Sequence, residues 1–182
     1  MRVVSTVHKA GFDVYGERWL EGISNWPKGT EFILYTEGFD LEHERVTSRR
    51  IESVEKAERF KAQYAHYNSV SWRWDVKRFC NKTFAVYDAL RDHHGLGIWL
   101  DADCITYNKI PDGYIEAMLP ESYYLARFER ESSLGLATET GFWIADCGHH
   151  EHAARSCWHS DLLRRGSRAS RRLRGNHPGG GY

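Results

Sequence analysis

The stretch Gly97-Ile98-Trp99-Leu100-Asp101-Ala102-Asp103 decides how this chain is read. Gly95-Leu96-Gly97 closes a preceding helical pattern, and the apolar run Ile98-Trp99-Leu100 then enters a short buried strand. The strand delivers two carboxylates, Asp101 and Asp103, to the edge of a hydrophobic core. If the backbone stays extended, side chains at i and i+2 point the same way. At the carboxyl end of a strand they emerge into the crevice where open α/β sheets bind ligands. Two hard oxygen ligands, with diphosphate oxygens and water, complete an octahedral site for Mn2+ or Mg2+. Such a cation offsets the charge that develops on a departing nucleoside diphosphate. The small Ala102 leaves room for a ligand to approach. The alternative is a solvated strand-to-loop turn that is merely acidic.

Upstream, Val3-Val4-Ser5-Thr6-Val7 reads as a buried strand followed by a loop through His8-Lys9-Ala10-Gly11. A helix is expected from Tyr15 to about Ile23, with Trp19, Leu20 and Ile23 at helical spacing. After the turn Trp26-Pro27-Lys28-Gly29, the run Glu31-Phe32-Ile33-Leu34-Tyr35 is a second strand, and this order implies a parallel α/β sheet. The polar stretch from Asp40 to Ser53 reads as loop with some helix. Amphipathic helices follow from Val54 to Tyr67 and from about Asp75 to Asp92. In the second, Val76, Phe79, Cys80, Thr83, Tyr87 and Leu90 form the apolar side, and Arg78 and Lys82 lie one turn apart on a neighbouring face. Downstream, Ile105-Thr106-Tyr107 continues extended and Pro111 through Leu119 forms a short helix. Tyr123 to Arg127 and Gly141 to Ala145 are two further strands. No internal repeat is present.

With 182 residues, 41% apolar and 27% charged, the chain suits one domain with a substantial core. Seven Trp and ten Tyr suit carbohydrate handling, although large aromatics more often fill cores. No signal-peptide-like or membrane-spanning apolar run is present, and Cys80, Cys104, Cys147 and Cys157 fall at no metal-binding spacing. Reduced thiols in a cytoplasmic protein are the expectation. The zero net charge hides a split. Residues 155–182 carry seven Arg, no Lys and one acid, a formal +6, which leaves 18 bases against 24 acids in the rest.

Arg78-Phe79-x-Asn81-Lys82-Thr83-Phe84-Ala85, then Gly97 through Asp103, then Ile110-Pro111, together resemble the central block of GT-A-fold glycosyltransferases. The likeness is to the glycogenin-like and bacterial galactosyltransferase (family-8-type) group, in which a Lys-bearing helix precedes a strand ending in D-A-D. Thr138-Glu139-Thr140-Gly141-Phe142 is similar to that group's later N-S-G-V/F segment. The resemblance covers roughly residues 1–150 and implies an α/β fold with a mixed, mostly parallel sheet flanked by helices. It further implies that Asp101 and Asp103 bind the metal, with Asp101 also near the ribose. Lys82 approaches the diphosphate or donor sugar, Arg78 is a second cation, and Thr6 and Val7 contact the base or ribose. Glu139, Thr140 and Gly141 border the sugar, Ala102 lies between the two ligands, and Lys82 and Glu139 are the candidate catalytic residues. The implied function is metal-dependent transfer from a nucleotide-sugar donor to a saccharide, lipid or protein acceptor, with retention of configuration. Read from the residues alone, Lys82 and Arg78 better suit a solvated helix face, and Glu139 equally suits an ordinary loop acid.

The resemblance fails at the end of the chain. That group carries a further metal-binding His in an H-x-x-G-type segment, which has no counterpart here. His149, His150 and His152 read as solvated loop histidines rather than a metal cluster. Residues 151–182 form a separate segment, expected to be a disordered basic tail or an out-of-frame continuation. Nucleic-acid binding is the weaker reading, because the aromatic interleaving that base stacking needs is nearly missing. The chain is thus expected to be either a glycosyltransferase or a catalytically incomplete nucleotide-sugar-binding remnant. A third option, a haloacid-dehalogenase-type phosphatase with Asp101 as nucleophile, fits less well. Its D-x-D normally opens the chain and is followed by Thr or Val where Ile105 stands.

Overall fold

A computed structural model describes residues 1–67, 75–132 and 135–148, with the backbone alone for 129–132 and 135–139. The basic segment 151–182, His149, His150, His152, Cys157 and the Glu139 side chain lie outside the described residues.

Strand β1 (Arg2–His8) is the centre of a six-stranded sheet. The chain then runs through α1 (Lys9–Gly11), a wide turn over Phe12–Gly16, α2 (Glu17–Gly22) and a tight turn Ile23–Asn25 into β2 (Glu31–Glu37). Next come β3 (Thr47–Arg50), α3 (Glu55–Gln63), α4 (Val76–Leu90), β4 (Leu96–Leu100), α5 (Tyr114–Ala117), β5 (Leu125–Ser132) and β6 (Gly135–Asp146). The order across the sheet is β3-β2-β1-β4-β6-β5. The first four strands are parallel neighbours, whereas β6 runs antiparallel to both β4 and β5. The fold is therefore the expected mixed, mostly parallel α/β sheet with helices on its faces.

Continuous apolar runs make the parallel centre because both of its faces are covered. On one face Val3, Val7, Phe32, Leu34, Ile98, Leu100 and Ile144 pack under Trp19, Ile23 and Ile115. On the other, Val4, Ile33, Tyr35 and Trp99 pack under Ala57, Ala85, Val86, Ala89 and Leu90. Asp75 starts α4, its carboxylate accepting from the backbone N–H groups of Lys77 and Arg78 at 3.1 and 3.2 Å.

Several expectations need correction. His8 to Gly11 is no loop, since the helical path begins at Lys9. The polar stretch after Asp40 holds β3, whose sequence Thr-Ser-Arg-Arg carries no apolar alternation because it is an edge strand. Residues 105–107 are not a strand. They form a loop pinned to the turn after α2, where Asn25 Nδ2 donates to the Thr106 carbonyl at 2.6 Å and Trp26 Nε1 to Thr106 Oγ1 at 2.9 Å. The buried side of α4 is also rotated from the expected one. Asn81, Ala85 and Ala89 face the sheet with Cys80, Val86 and Leu90, while Thr83 and Phe79 are exposed. Small residues let the helix backbone approach the strands closely, so the larger rings are displaced to its flanks.

Close approach is also required at Gly97. A Cβ there would lie 2.6 Å from Leu90 Cδ1 and 2.8 Å from Cys147 Sγ. Leu90 is itself buried, so Gly97→Ala should force α4 away from β4. The expected loss is about 1–3 kcal/mol, read as a lower denaturant midpoint at unchanged slope. A midpoint equal to the parent's would show that the helix yields without cost.

A second test is pH. Burial, followed by the charge of Arg2, holds His93 below the ordinary imidazole range, although its Nε2 contact to the Leu96 carbonyl at 3.2 Å opposes this. Below about pH 6.5 the unfolded chain takes a proton at this position that the folded chain resists. Stability from His93 is complete above that pH and is lost as pH falls through the lower folded pKa. Thermal midpoints of the parent should decline on this acid limb, and His93→Gln should flatten it. Identical acid limbs would remove His93 from the account.

Candidate functional site

The chain builds β1, β2 and β3 outward on one side and then crosses to β4 on the other. The point where strand order reverses lies between β1 and β4, and there the carboxyl ends of the strands part into a crevice. A cleft of about 250 Å³ occupies this position. Thr6, Val7 and His8 reach it from β1, Tyr35 and Glu37 from β2, and Tyr15 from the wide turn. Helix α4 contributes Arg78, Phe79, Asn81 and Lys82. Ile51, Trp99, Asp101, Ala102, Asp103 and Thr140 complete the wall.

Most residues singled out in the sequence therefore meet in one cleft: Thr6, Val7, Arg78, Lys82, Asp101, Ala102, Asp103 and Thr140. Gly141 does not line it. Its carbonyl accepts from the Asp101 backbone N–H at 2.7 Å, extending the β4–β6 pairing by one rung. The Glu139 side chain is outside the described residues.

The two carboxylates arrive by a different local geometry from the extended one expected. The Cys104 N–H donates to the Asp101 carbonyl at 2.9 Å, so residues 101–104 form a β-turn with Ala102 and Asp103 at its centre. Both acids nonetheless line the same cleft. Ala102 is buried against the core face opposite Trp99, and Asp103 is exposed.

Asp101 is tightly held. Its Oδ1 accepts from the buried Trp99 Nε1 at 2.5 Å and pairs with Lys82 Nζ at 3.1 Å. Lys82 also donates to the Thr140 carbonyl, and its ammonium lies 4.6 Å from the Trp99 ring centroid. Tyr15 faces the same charges. Burial first, then the fields of Asp103 and Asp101, raise its hydroxyl above the ordinary tyrosine range, with Arg78 opposing. The buried thiol of Cys80, on α4, is pushed up to about 11 by desolvation, so it stays protonated and inert at neutral pH. No disulfide joins the described cysteines, Cys80, Cys104 and Cys147.

Sequence reasoning missed His8, Tyr15, Tyr35, Glu37, Ile51, Phe79, Asn81 and Trp99 as parts of this wall. Trp99 was accessible in principle, because strand alternation places it on the same face as Asp101. Glu37, at the carboxyl end of β2, obeys the same crevice rule as Asp101. Tyr15 had no such signal, since its position depends on the wide turn. Its hydroxyl packs where a Cβ of Gly11 would stand, only 2.2 Å away.

Among the described residues no group of three or more His, Cys, Asp or Glu could hold a metal by itself. None of the described helices is long and apolar enough to cross a membrane.

No protein-family model matches the chain, and no curated protein matches its sequence. Among solved structures it is similar to the apo form of the glycosyltransferase GlyE from Streptococcus pneumoniae TIGR4. The TM-score is 0.51 at 12% identity, over 91% of this chain and 38% of that one. A second GlyE structure gives a TM-score of 0.49 at 14% identity, covering 92% of this chain and 39% of that one. The apo bifunctional glycosyltransferase WbbM gives 0.47 at 9% identity, covering 92% and 33%. The chain thus spans about two fifths of the GlyE structure's length. At this identity the likeness is one of fold alone: the chain has a GT-A-like α/β fold, and its own cleft lies at the strand switch point.

Proposed function

We propose that this chain is the donor-binding part of a metal-dependent glycosyltransferase, with the cleft at the end of β1 and β4 taking a nucleoside diphosphate sugar. The observation that carries this reading is one of charge placement. Asp101 and Asp103 line the cleft together with Arg78 and Lys82 of α4, and Lys82 pairs with Asp101 at 3.1 Å. Such a pairing of acids and bases suits a diphosphate bridged to a divalent cation.

The residues present fit Mn2+ or Mg2+ as an incomplete protein donor set. Two carboxylates supply hard oxygens, and among the described residues Asp103 has only a 4.0 Å contact from the Cys104 thiol. Diphosphate and water oxygens would fill the remaining positions. When bound, the cation offsets negative charge on the leaving diphosphate. The chain's own residues then divide the rest. Asp101 and Asp103 hold the cation, and Lys82 and Arg78 neutralise diphosphate oxygens. Thr6 and Val7 border the base or ribose, and Thr140 and Glu139 border the sugar. The family-8-type assignment, retention of configuration and a saccharide, lipid or protein acceptor belong to the same proposal. The phosphatase reading is not favoured, because the fold is similar to that of a solved glycosyltransferase.

A thermal-shift screen of nucleotide sugars, with and without Mn2+, tests the reading. A donor at about 100 times its Kd stabilises by about 2.7 kcal/mol. For a chain this long that raises the midpoint by roughly 5–10 °C. The rise should require sugar nucleotide and Mn2+ together. No shift with any nucleotide sugar in the presence of Mn2+ would sink the proposal. Binding without donor hydrolysis or transfer would favour the catalytically incomplete remnant instead.

A further inference from the structure

Lys82 stands in a posture that donor binding by itself does not explain. Its ammonium is turned onto the protein, with Asp101 Oδ1 at 3.1 Å, the Thr140 carbonyl as acceptor, and the Trp99 ring centroid at 4.6 Å. Trp99 is buried, and its indole N–H fixes the same Asp101 oxygen at 2.5 Å. The carboxylate is thus oriented from below by Trp99 and neutralised from the cleft side by Lys82.

We infer that Lys82 is an internal counter-ion that holds the place of the divalent cation at Asp101 and releases it only to an incoming diphosphate. The inference rests on the donor-binding reading above. A divalent cation and an ammonium beside one carboxylate repel each other strongly at such distances. A cation arriving alone must displace Lys82 from the carboxylate, the Thr140 carbonyl and the Trp99 face, with no anion to receive the ammonium. When the diphosphate arrives as well, its oxygens replace what Lys82 gives up. Cation and nucleotide therefore bind cooperatively, and by linkage each tightens the other by the same factor. The device keeps Asp101 charge-balanced and pre-oriented in the empty cleft, and it disfavours loading with a bare cation.

The test uses the full chain and two probes, MnCl2 alone and MnCl2 with UDP, GDP or ADP in turn, with free Mn2+ followed by electron paramagnetic resonance. Lys82→Met removes the charge and keeps a helix-favouring chain of similar length; Lys82→Arg keeps the charge. With Mn2+ alone, Lys82→Met should bind about three- to tenfold more tightly than the parent, since it no longer displaces a partly exposed ion pair. Lys82→Arg should stay as weak as the parent. With nucleotide present, Lys82→Met should lose at least threefold of the parent's enhancement of Mn2+ affinity. Should Lys82→Met fail to fold by circular dichroism, Lys82→Gln serves in its place. Bare Mn2+ affinity in the neutral variant equal to or weaker than the parent's would overturn the counter-ion role while leaving donor binding intact. A parent that binds no Mn2+ even with a nucleoside diphosphate would overturn the donor-binding reading, and this inference with it.

Discussion

Asp101→Asn should weaken Mn2+-dependent nucleotide binding by about 100-fold or more while leaving the fold in place. The substitution preserves shape and removes charge. An Asn Oδ1 can still accept from Trp99 Nε1, so the turn over residues 101–104 and its hydrogen bond to the Asp101 carbonyl survive. The amide has only one acceptor oxygen, however, and that oxygen is committed to Trp99. Its NH2 group then meets the cation with the wrong sign. Stability should change little, within about 1 kcal/mol, because the lost partner is a partly exposed ion pair with Lys82. Asp103→Asn should show the same loss of binding with a still smaller change in stability, as Asp103 is exposed. Isothermal titration of Mn2+ and UDP into each variant, beside a denaturant melt, separates the two effects. An Asp101→Asn protein that binds both ligands as tightly as the parent would remove this residue from the cation site.

The largest loss of stability is expected at Trp99. This side chain is 1% exposed and fills the α4 side of the sheet, among Val4, Tyr35, Ala85 and Ala89. Trp99→Ala should cost about 3–5 kcal/mol, which lowers the thermal midpoint by roughly 6–20 °C in a chain of this length. Trp99→Phe separates packing from polarity. It retains most of the apolar volume and loses the N–H donated to Asp101. Its stability should fall by about 1–2 kcal/mol, combining a small cavity with the lost charge-assisted bond. If Trp99→Phe melts with Trp99→Ala, the retained apolar volume contributes nothing and the lost N–H accounts for the whole effect. If it melts with the parent, the indole hydrogen bond contributes nothing measurable.

The contrast between these two residues reflects what was legible in the chain. The run Val3 to Val7 and the strand before Asp101 were readable because a parallel strand covered on both faces must be apolar throughout. Their register on one another was not, since it depends on pairing across some ninety residues. Strand β3 escaped notice for the opposite reason. An edge strand need not bury either face, so Thr47-Ser48-Arg49-Arg50 carries the composition of a loop. Arg49 shows what the fold does with it: its guanidinium pairs with Asp88 of α4 at 3.1 Å and donates to Tyr35 Oη at 3.2 Å. That three-way contact among β3, α4 and β2 has no local signature.

Helix α4 marks the boundary within a single element. Periodicity gave its extent, and the spacing of Arg78 and Lys82 placed both cations on one line. It also suggested that the largest apolar residues faced the core, yet Asn81, Ala85 and Ala89 do. Which stripe of a helix is buried depends on how close the sheet lies, and that distance is a property of the packed layers.

By itself, then, the sequence determined the strand that carries Asp101 and Asp103, the helix that carries Arg78 and Lys82, and the α/β class joining them. Each of these follows from short-range patterns of burial and charge. Only the tertiary structure decided that β4 lies beside β1, that the acids arrive on a turn, and that Trp99 and Lys82 converge on one oxygen of Asp101. Those outcomes require groups distant in the chain to share one small volume, where hydrogen-bond geometry and charge balance select among arrangements that local propensity leaves equal.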